Sequence, residues 1–482
     1  MDERLQNPQE SRHGAVVFQT LVAFITIIAS LLYYVSPERF TALQQGFIQP
    51  LVFAAAAIFL FRYHRGLKWE LRLMAVFAAW VVVTRVLNGD HYLQAEFASV
   101  NAVLLSSFVL LPLAFLLNTE QRKRAMKWLS ALVGGLLALV AWLAVIAALR
   151  GEPFVNPVAG NVLGINGTYT KPYRLNVFDM HPNMSALLFF LALNMMLYLI
   201  CSAKRKLWIV PAALACLGLY LAIALTLSRT VMIACSAAVA MLVLLLGLRR
   251  LRLPGKAVRA ALLAALMLAG AVGTYFSFSL ALKAMTAVAG RVNVSVASAA
   301  DSADSVDAPP SATQTKSVST FVDTRNQAKD FQTFTGRTNI WRTFLPTLKD
   351  SPKKILIGSA ADDLIRFQER MLGRQLVHMH NVFLQTFLYA GLPGFLLAAA
   401  FMLLLLVRAV RLFFCPNPEV TLAMKIPIVA VLGLLLCSMV EQCIFAAGQQ
   451  SSLIFFLLAG FVLADSYRYC PLKRDEREGL RP

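Results

Sequence analysis

Apolar residues run along this chain in stretches of roughly 18 to 22, and a stretch of that length crosses a hydrocarbon core about 30 Å thick as a helix. Twelve helices are predicted on this pattern, near 15–35, 47–61, 71–87, 98–117, 128–149, 184–202, 207–227, 230–248, 260–282, 381–407, 424–441 and 452–466. The first is too long for a signal-peptide core and no small-residue cleavage site follows it, so it is expected to be retained. The pattern is that of an all-α integral membrane protein with about 12 transmembrane helices.

Two segments between helices are long, 150–183 and 284–379, and they divide the chain into 1–283, 284–379 and 380–482. Val294 to Thr320 is rich in Ser, Ala, Asp and Thr, contains Pro309-Pro310 and has no apolar period, as expected of a flexible connector. In 321–379, Ile340, Trp341, Phe344, Leu345 and Leu348 recur at helical spacing, as do Leu364, Ile365, Phe367, Met371 and Leu372. Amphipathic helices lying on the membrane surface or over a cavity are expected there.

Charge orients the helices. Of the 45 Lys and Arg residues, 26 fall in the termini and in one alternating set of short loops, including Arg62 to Arg72, Arg122 to Lys127, Lys204 to Lys206 and Arg249 to Arg259. Basic loops are retained inside, so both termini are expected in the cytoplasm and both long segments outside. The net charge of +20 is then largely a topological signature, and no nucleic-acid partner is expected. With 58% hydrophobic and 15% charged residues, a water-soluble domain is excluded. The seven cysteines lie in or beside apolar runs without a CxxC pair, which points to neither a disulfide framework nor a zinc site.

Four outer features could carry chemistry. Arg229, in Thr226-Leu227-Ser228-Arg229-Thr230, interrupts an apolar stretch; it is either a snorkelling turn residue or the partner of an anion. Arg337 opens an amphipathic helix in Gly336-Arg337-Thr338-Asn339-Ile340-Trp341, where it could meet phosphate oxygens or simply pair with Asp323 or Asp330. His378-Met379-His380-Asn381 precedes a helix; a metal site lacks further ligands, whereas a neutral imidazole can take a proton from a hydroxyl, and Asn381 can serve as the cap. Arg174, with Lys171, lies ahead of Asp179-Met180-His181-Pro182-Asn183, itself a good helix entry. Asp179 and Glu441 rank lower as acid–base candidates.

This ordered set resembles the O-antigen ligase and O-antigen polymerase family of bacterial membrane glycosyltransferases. Ser228-Arg229 in an outer turn, Gly336-Arg337 in a long outer loop, His380-Asn381-Val382-Phe383-Leu384-Gln385 at its end, Gly391-Leu392-Pro393-Gly394 beyond, and Arg174 with Pro182-Asn183 carry the likeness. The glycine of the family after Arg174 is replaced by Asn176 or Val177. The resemblance implies a GT-C-like architecture and a metal-independent, cofactor-free, inverting transfer of an undecaprenyl-diphosphate-linked glycan, outside a bacterial inner membrane. The acceptor is a sugar hydroxyl of the lipid A core in a ligase, and another lipid-linked repeat unit in an O-antigen, capsule or exopolysaccharide polymerase. His380 is then the general base, Arg229 and Arg337 stabilise the departing diphosphate, and Arg174 and Asn381 help bind the donor. Membrane lipid, a polysaccharide flippase and a chain-length regulator are the further partners implied.

A twelve-helix transporter or flippase is the rival reading. Transporters place ionisable residues or broken helices near the membrane centre. Here Arg85, Glu441 and Asp465 all fall toward helix ends.

Overall fold

A computed structural model describes residues 17–27, 51, 54–55, 68–89, 103–150, 154–155, 162–166, 174–177, 180–250, 255–289, 293–296, 314–317, 337–347, 351–359, 379–445 and 450–471. In chain order its helices are α1 Val17–Ile27, α2 Trp69–Leu87, α3 Val103–Leu116, α4 Thr119–Arg150, α5 Pro182–Ser202, α6 Ile209–Thr226, α7 Arg229–Arg250, α8 Lys256–Ala289, α9 Arg337–Thr347, α10 Pro352–Ile357, α11 Val382–Phe413, α12 Leu422–Ser438 and α13 Gln450–Tyr469. Strands β1 Phe154–Val155, β2 Val162–Asn166 and β3 Arg174–Val177 lie between α4 and α5, and β4 Asn293–Val296 and β5 Gln314–Ser317 follow α8.

Among the described residues, seven helical stretches are long and apolar enough to cross a membrane: Thr119–Arg150, Pro182–Ser202, Lys206–Thr226, Arg229–Leu248, Ala257–Met285, Val382–Phe413 and Ser451–Tyr469. The chain is a mostly helical, multi-pass membrane protein. The apolar stretches α1, α3 and α12 are shorter, and the helix expected near 47–61 lies largely outside the described residues.

Three local features lie outside the pattern of apolar runs. The segment 150–183 contains an antiparallel sheet, β1-β2-β3, with Ile165 opposite Leu175 and Asn166 opposite Arg174. Val294 and Val296, alternating with polar residues, pair in β4 with β5 inside the stretch expected to be a flexible connector. Cys415 and Cys470 are neighbours, with Cα atoms 6.6 Å apart, because the ends of α11 and α13 meet although 55 residues separate them in sequence. A smaller adjustment concerns the basic residues Arg122 to Lys127, which sit on the first turns of the continuous helix α4 rather than in a loop.

The chain forms two compact units: Met1–Tyr33, Pro37–Met126 and Thr333–Pro482 make the first, and Tyr34–Ser36 with Lys127–Gln332 the second. In the first, α11 packs against α2, α12 and α13, and α13 also against α3. Phe77, Phe445, Phe456 and Phe401 form a chain of ring contacts through this core, with centroid separations of 4.9, 5.3 and 6.1 Å. At one end, buried ionic groups tie the helices together. Arg408 Nε donates to Glu70 Oε1 at 3.0 Å and Tyr467 Oη to Glu70 Oε2 at 2.7 Å, while Arg122 Nη2 meets Asp465 Oδ1 at 2.8 Å. Each carboxylate has at least two donors or a fork of one guanidinium, the condition under which burying such charges is tolerable.

Helix α11 is not one straight rod. Gly391 has φ 63° and ψ −168°, open in practice only to glycine, and Pro393 follows, so the helix breaks into 382–390 and a longer second half. The first half is the mount for the site described next.

In the second unit α6 packs against α4 and α5, and α7 forms a hairpin with α8. The β2-β3 hairpin lies on α4, with Leu163, Leu175 and Val177 buried. The Tyr220 ring stacks on Phe278 at 4.6 Å and its hydroxyl bonds Ser277 at 2.6 Å, which fastens α6 to α8.

Candidate active site

Asn381 stops the chain from entering α11 unprotected. Its Oδ1 accepts from the backbone N–H of Phe383 at 2.9 Å and of Leu384 at 3.0 Å, so the expected cap is present. Its Nδ2 donates to Met439 O at 2.7 Å, which ties the start of α11 to the end of α12. One residue earlier, His380 has φ 50°, a left-handed conformation that is uncommon for a side chain with a Cβ. Such strain costs of order 1–3 kcal/mol and persists only where neighbours enforce it. They do so through Met379, whose N–H donates to Gln385 Oε1 at 2.7 Å and whose carbonyl accepts from Trp341 Nε1 at 2.8 Å. Met379 and Leu388 are buried together, with Ile340, Leu384 and Tyr389 packed around them. The apolar stripe of α9 thereby fastens that helix to the turn that carries His380.

The consequence is a three-membered ionic cluster. Glu441, just beyond the end of α12, has a fully buried carboxylate. His380 Nδ1 lies 3.0 Å from its Oε2, and Arg337, the first residue of α9, bonds its Oε1 through Nη2. The guanidinium and the imidazole thus face the two oxygens of one carboxylate, which can accept a hydrogen bond from Nδ1–H. Nε2 is left as the basic nitrogen of the ring, the tautomer a general base needs. Arg337 Nε makes no hydrogen bond although it is buried, so the cation is only partly used by Glu441. Cys443 is no competing nucleophile. Burial, and secondarily the Glu441 carboxylate, push its thiol well above the usual range.

In the second unit, Arg174 enters the interior from β3. Its Nε donates to Thr226 O at 2.6 Å and its Nη2 to Asn183 Oδ1 at 2.6 Å, and the residue is buried. It therefore braces the turn between α6 and α7. That turn passes through Leu227 in a left-handed conformation, φ 52°, and delivers Ser228 and Arg229 to the start of α7. The Ser228 hydroxyl is buried without a hydrogen bond, and Arg229 is half-buried at the first helical position. The cation at the positive end of the α7 dipole makes this turn suited to anionic oxygens.

Residues 212–399 match the family model described as O-antigen ligase. The chain carries an O-antigen ligase family domain. The matched family is one of glycosyltransferase-like ligases and polymerases, an enzyme class. No curated protein matches the chain at a significant level.

The O-antigen ligase domain includes Arg229, Arg337, His380 and Asn381, while Arg174 and Glu441 lie outside it. The structure gathers His380, Arg337 and Asn381 in the first unit, and sets Arg174 against the Arg229 turn in the second. Glu441, ranked low in the sequence, is the central anion of the cluster. It is the partner of Arg337, where the sequence offered Asp323 and Asp330, both outside the described residues. Its only sequence signal was an acid at an apolar helix end. Trp341 and Gln385, which hold the His380 turn, carried no signal beyond their periodic positions. His378, Lys171 and Asp179 also lie outside the described residues.

Proposed function

We propose that this protein is an inverting, metal-independent glycosyltransferase that moves an undecaprenyl-diphosphate-linked glycan to a sugar hydroxyl. The observation that carries the reading is the His380–Glu441–Arg337 cluster at the head of α11, whose His380 and Arg337 fall within the segment that matches the O-antigen ligase family. In the proposed step the acceptor hydroxyl gives its proton to His380 Nε2 as its oxygen bonds the anomeric carbon. The bond from that carbon to the phosphate oxygen breaks, and the polyprenyl diphosphate leaves with the electron pair. Glu441 holds the Nδ1 proton and stabilises the imidazolium that forms. Charge on the departing diphosphate is the part assigned to Arg229, and to the remaining N–H groups of Arg337. Arg174, with its hydrogen bonds to Thr226 and Asn183, is assigned the support of Arg229 rather than direct contact with the donor, and Asn381 is assigned chiefly to the cap.

The proposed setting is the periplasmic face of a bacterial inner membrane, with twelve spans, both termini in the cytoplasm, and 284–379 as an outer loop. The preferred acceptor is the lipid A core oligosaccharide; the polymerase version joins lipid-linked repeats by the same step. Replacing His380, Arg337 or Arg229 with Ala should abolish glycan transfer while the protein remains in the membrane, and full activity in all three sinks the reading. A deletion strain that accumulates long, unattached lipid-linked chains identifies a ligase, and one that makes only single repeats on its core a polymerase.

A further inference from the structure

Arg85 occupies the last turn of α2, is completely buried, and is not used by the mechanism above. A fully buried guanidinium in an apolar helix needs a reason. That reason lies across the core, at the break in α11. Pro393 has no N–H for the carbonyl of Tyr389, and the turn at Gly391 removes helical donors from the neighbouring carbonyls. Three successive carbonyls are nevertheless satisfied, two of them by side chains of α2 and one by the segment after α10. Leu388 O accepts from Ser359 N at 2.8 Å, Tyr389 O from Arg85 Nη2, and Ala390 O from Trp80 Nε1 at 2.7 Å.

The same Arg85 nitrogen donates to Ser359 O at 3.2 Å, and Asn88 Nδ2 donates to Ile357 O at 3.1 Å. Arg85 thus holds two things together: the exposed carbonyl edge of the broken helix, and the segment that follows α10. The approach is close. A Cβ on Gly391 would stand 2.2 Å from Leu356 O, and one on Gly358, at φ 75°, would stand 2.5 Å from Leu388 O. The half-helix pinned in this way is 382–390, and His380 is at its head. The segment pinned to it lies on the loop that carries α9 and Arg337.

We infer that Arg85 is a positioning residue for the transfer reaction: by clasping Tyr389 O and Ser359 O it sets where His380 stands relative to the Arg337-bearing loop. This rests on the role proposed for His380, and the test separates the two. Displacement of a catalytic group by about 1 Å costs roughly 100-fold in rate. Arg85→Ala is therefore expected to lower kcat about 100-fold, with the donor KM within about threefold, in protein that is still folded. Arg85→Lys keeps a cationic donor without the planar fork and should recover part of the kcat lost in Arg85→Ala. Trp80→Phe removes one neighbouring donor and should lower kcat severalfold, again without a KM change.

Wild-type kcat in Arg85→Ala overturns the inference. So does a loss that appears wholly in the donor KM, or a lysine variant as inactive as the alanine one. If Arg85→Ala does not accumulate, Trp80→Phe decides: unchanged kcat overturns the inference and a lowered kcat at unchanged KM supports it. His380→Ala is measured alongside. Activity there defeats the proposed function itself, whereas a dead His380→Ala beside a fully active Arg85→Ala defeats only the positioning role.

Discussion

Glu441→Gln is the most direct probe of the cluster, because the side chain keeps its size while the charge facing His380 and Arg337 is lost. At the observed 3.0 Å between His380 Nδ1 and Glu441 Oε2, a full imidazolium–carboxylate pair is worth about 5–6 kcal/mol at an effective dielectric near 20. Only about half of that charge exists when the acceptor hydroxyl is half deprotonated, so about 2.5–3 kcal/mol of barrier is at stake, or roughly 100-fold in kcat. The glutamine also leaves Arg337 without its counter-charge. Breaking a buried pair costs about 3–5 kcal/mol, so the thermal midpoint should fall as well. Glycan transfer is measured in membranes of a deletion strain that carries the variant, on its own lipid-linked donor, per amount of folded protein. A rate within threefold of the parent would refute the view that Glu441 orients and stabilises His380, whatever happened to stability.

Other outcomes follow from single contacts. Asn381→Ala should lose about 1 kcal/mol of stability through the missing cap, and less than tenfold in transfer, because both ends of the amide are already engaged by protein groups; a loss as complete as that of His380→Ala marks it as a donor ligand instead. Arg174→Ala strands the Thr226 carbonyl and Asn183, each at about 1–3 kcal/mol, so the thermal midpoint should drop, with lysine restoring part of it; an unchanged midpoint contradicts the bracing role. Gly391→Ala forces a Cβ against Leu356 O and should destabilise the protein as severely as any substitution discussed here, read as a lowered midpoint and lost membrane accumulation. Cys443, whose thiol is held protonated by burial and by Glu441, should resist a thiolate-directed alkylating reagent at pH 8 until the protein is denatured.

Much of the fold was legible because lipid-facing and core-facing helices share one signature. Either environment selects long apolar runs, so α2, α5 to α7, α12 and α13 could be placed within a few residues, while α4, α8 and α11 run further than the apolar pattern announces. The strands of 150–183 were not, since two to five residues of mixed character carry too short a period beside helices of 18 or more. The break in α11 was partly readable: Gly391-Leu392-Pro393 announces a kink, but no local pattern says that Ser359, Arg85 and Trp80 come to fill it.

The same division holds at the site. His380, Arg337 and Arg229 stand out in sequence because a polar or cationic residue in an apolar chain is costly, and the cost is visible wherever it is paid. Their chemistry was therefore nameable residue by residue. What sequence could not say is which charges face each other. Glu441 is 61 residues from His380 and 104 from Arg337, and only the packing of α9, α11 and the end of α12 brings the three together. Likewise Arg174 looks like a ligand-binding cation until Thr226 O and Asn183 are found to occupy it. Hydrophobicity is a property of each residue and accumulates along the chain, so sequence alone determined the membrane class and the segments. Ion pairing depends on distances across the fold, so which charges face each other was decided by the tertiary structure.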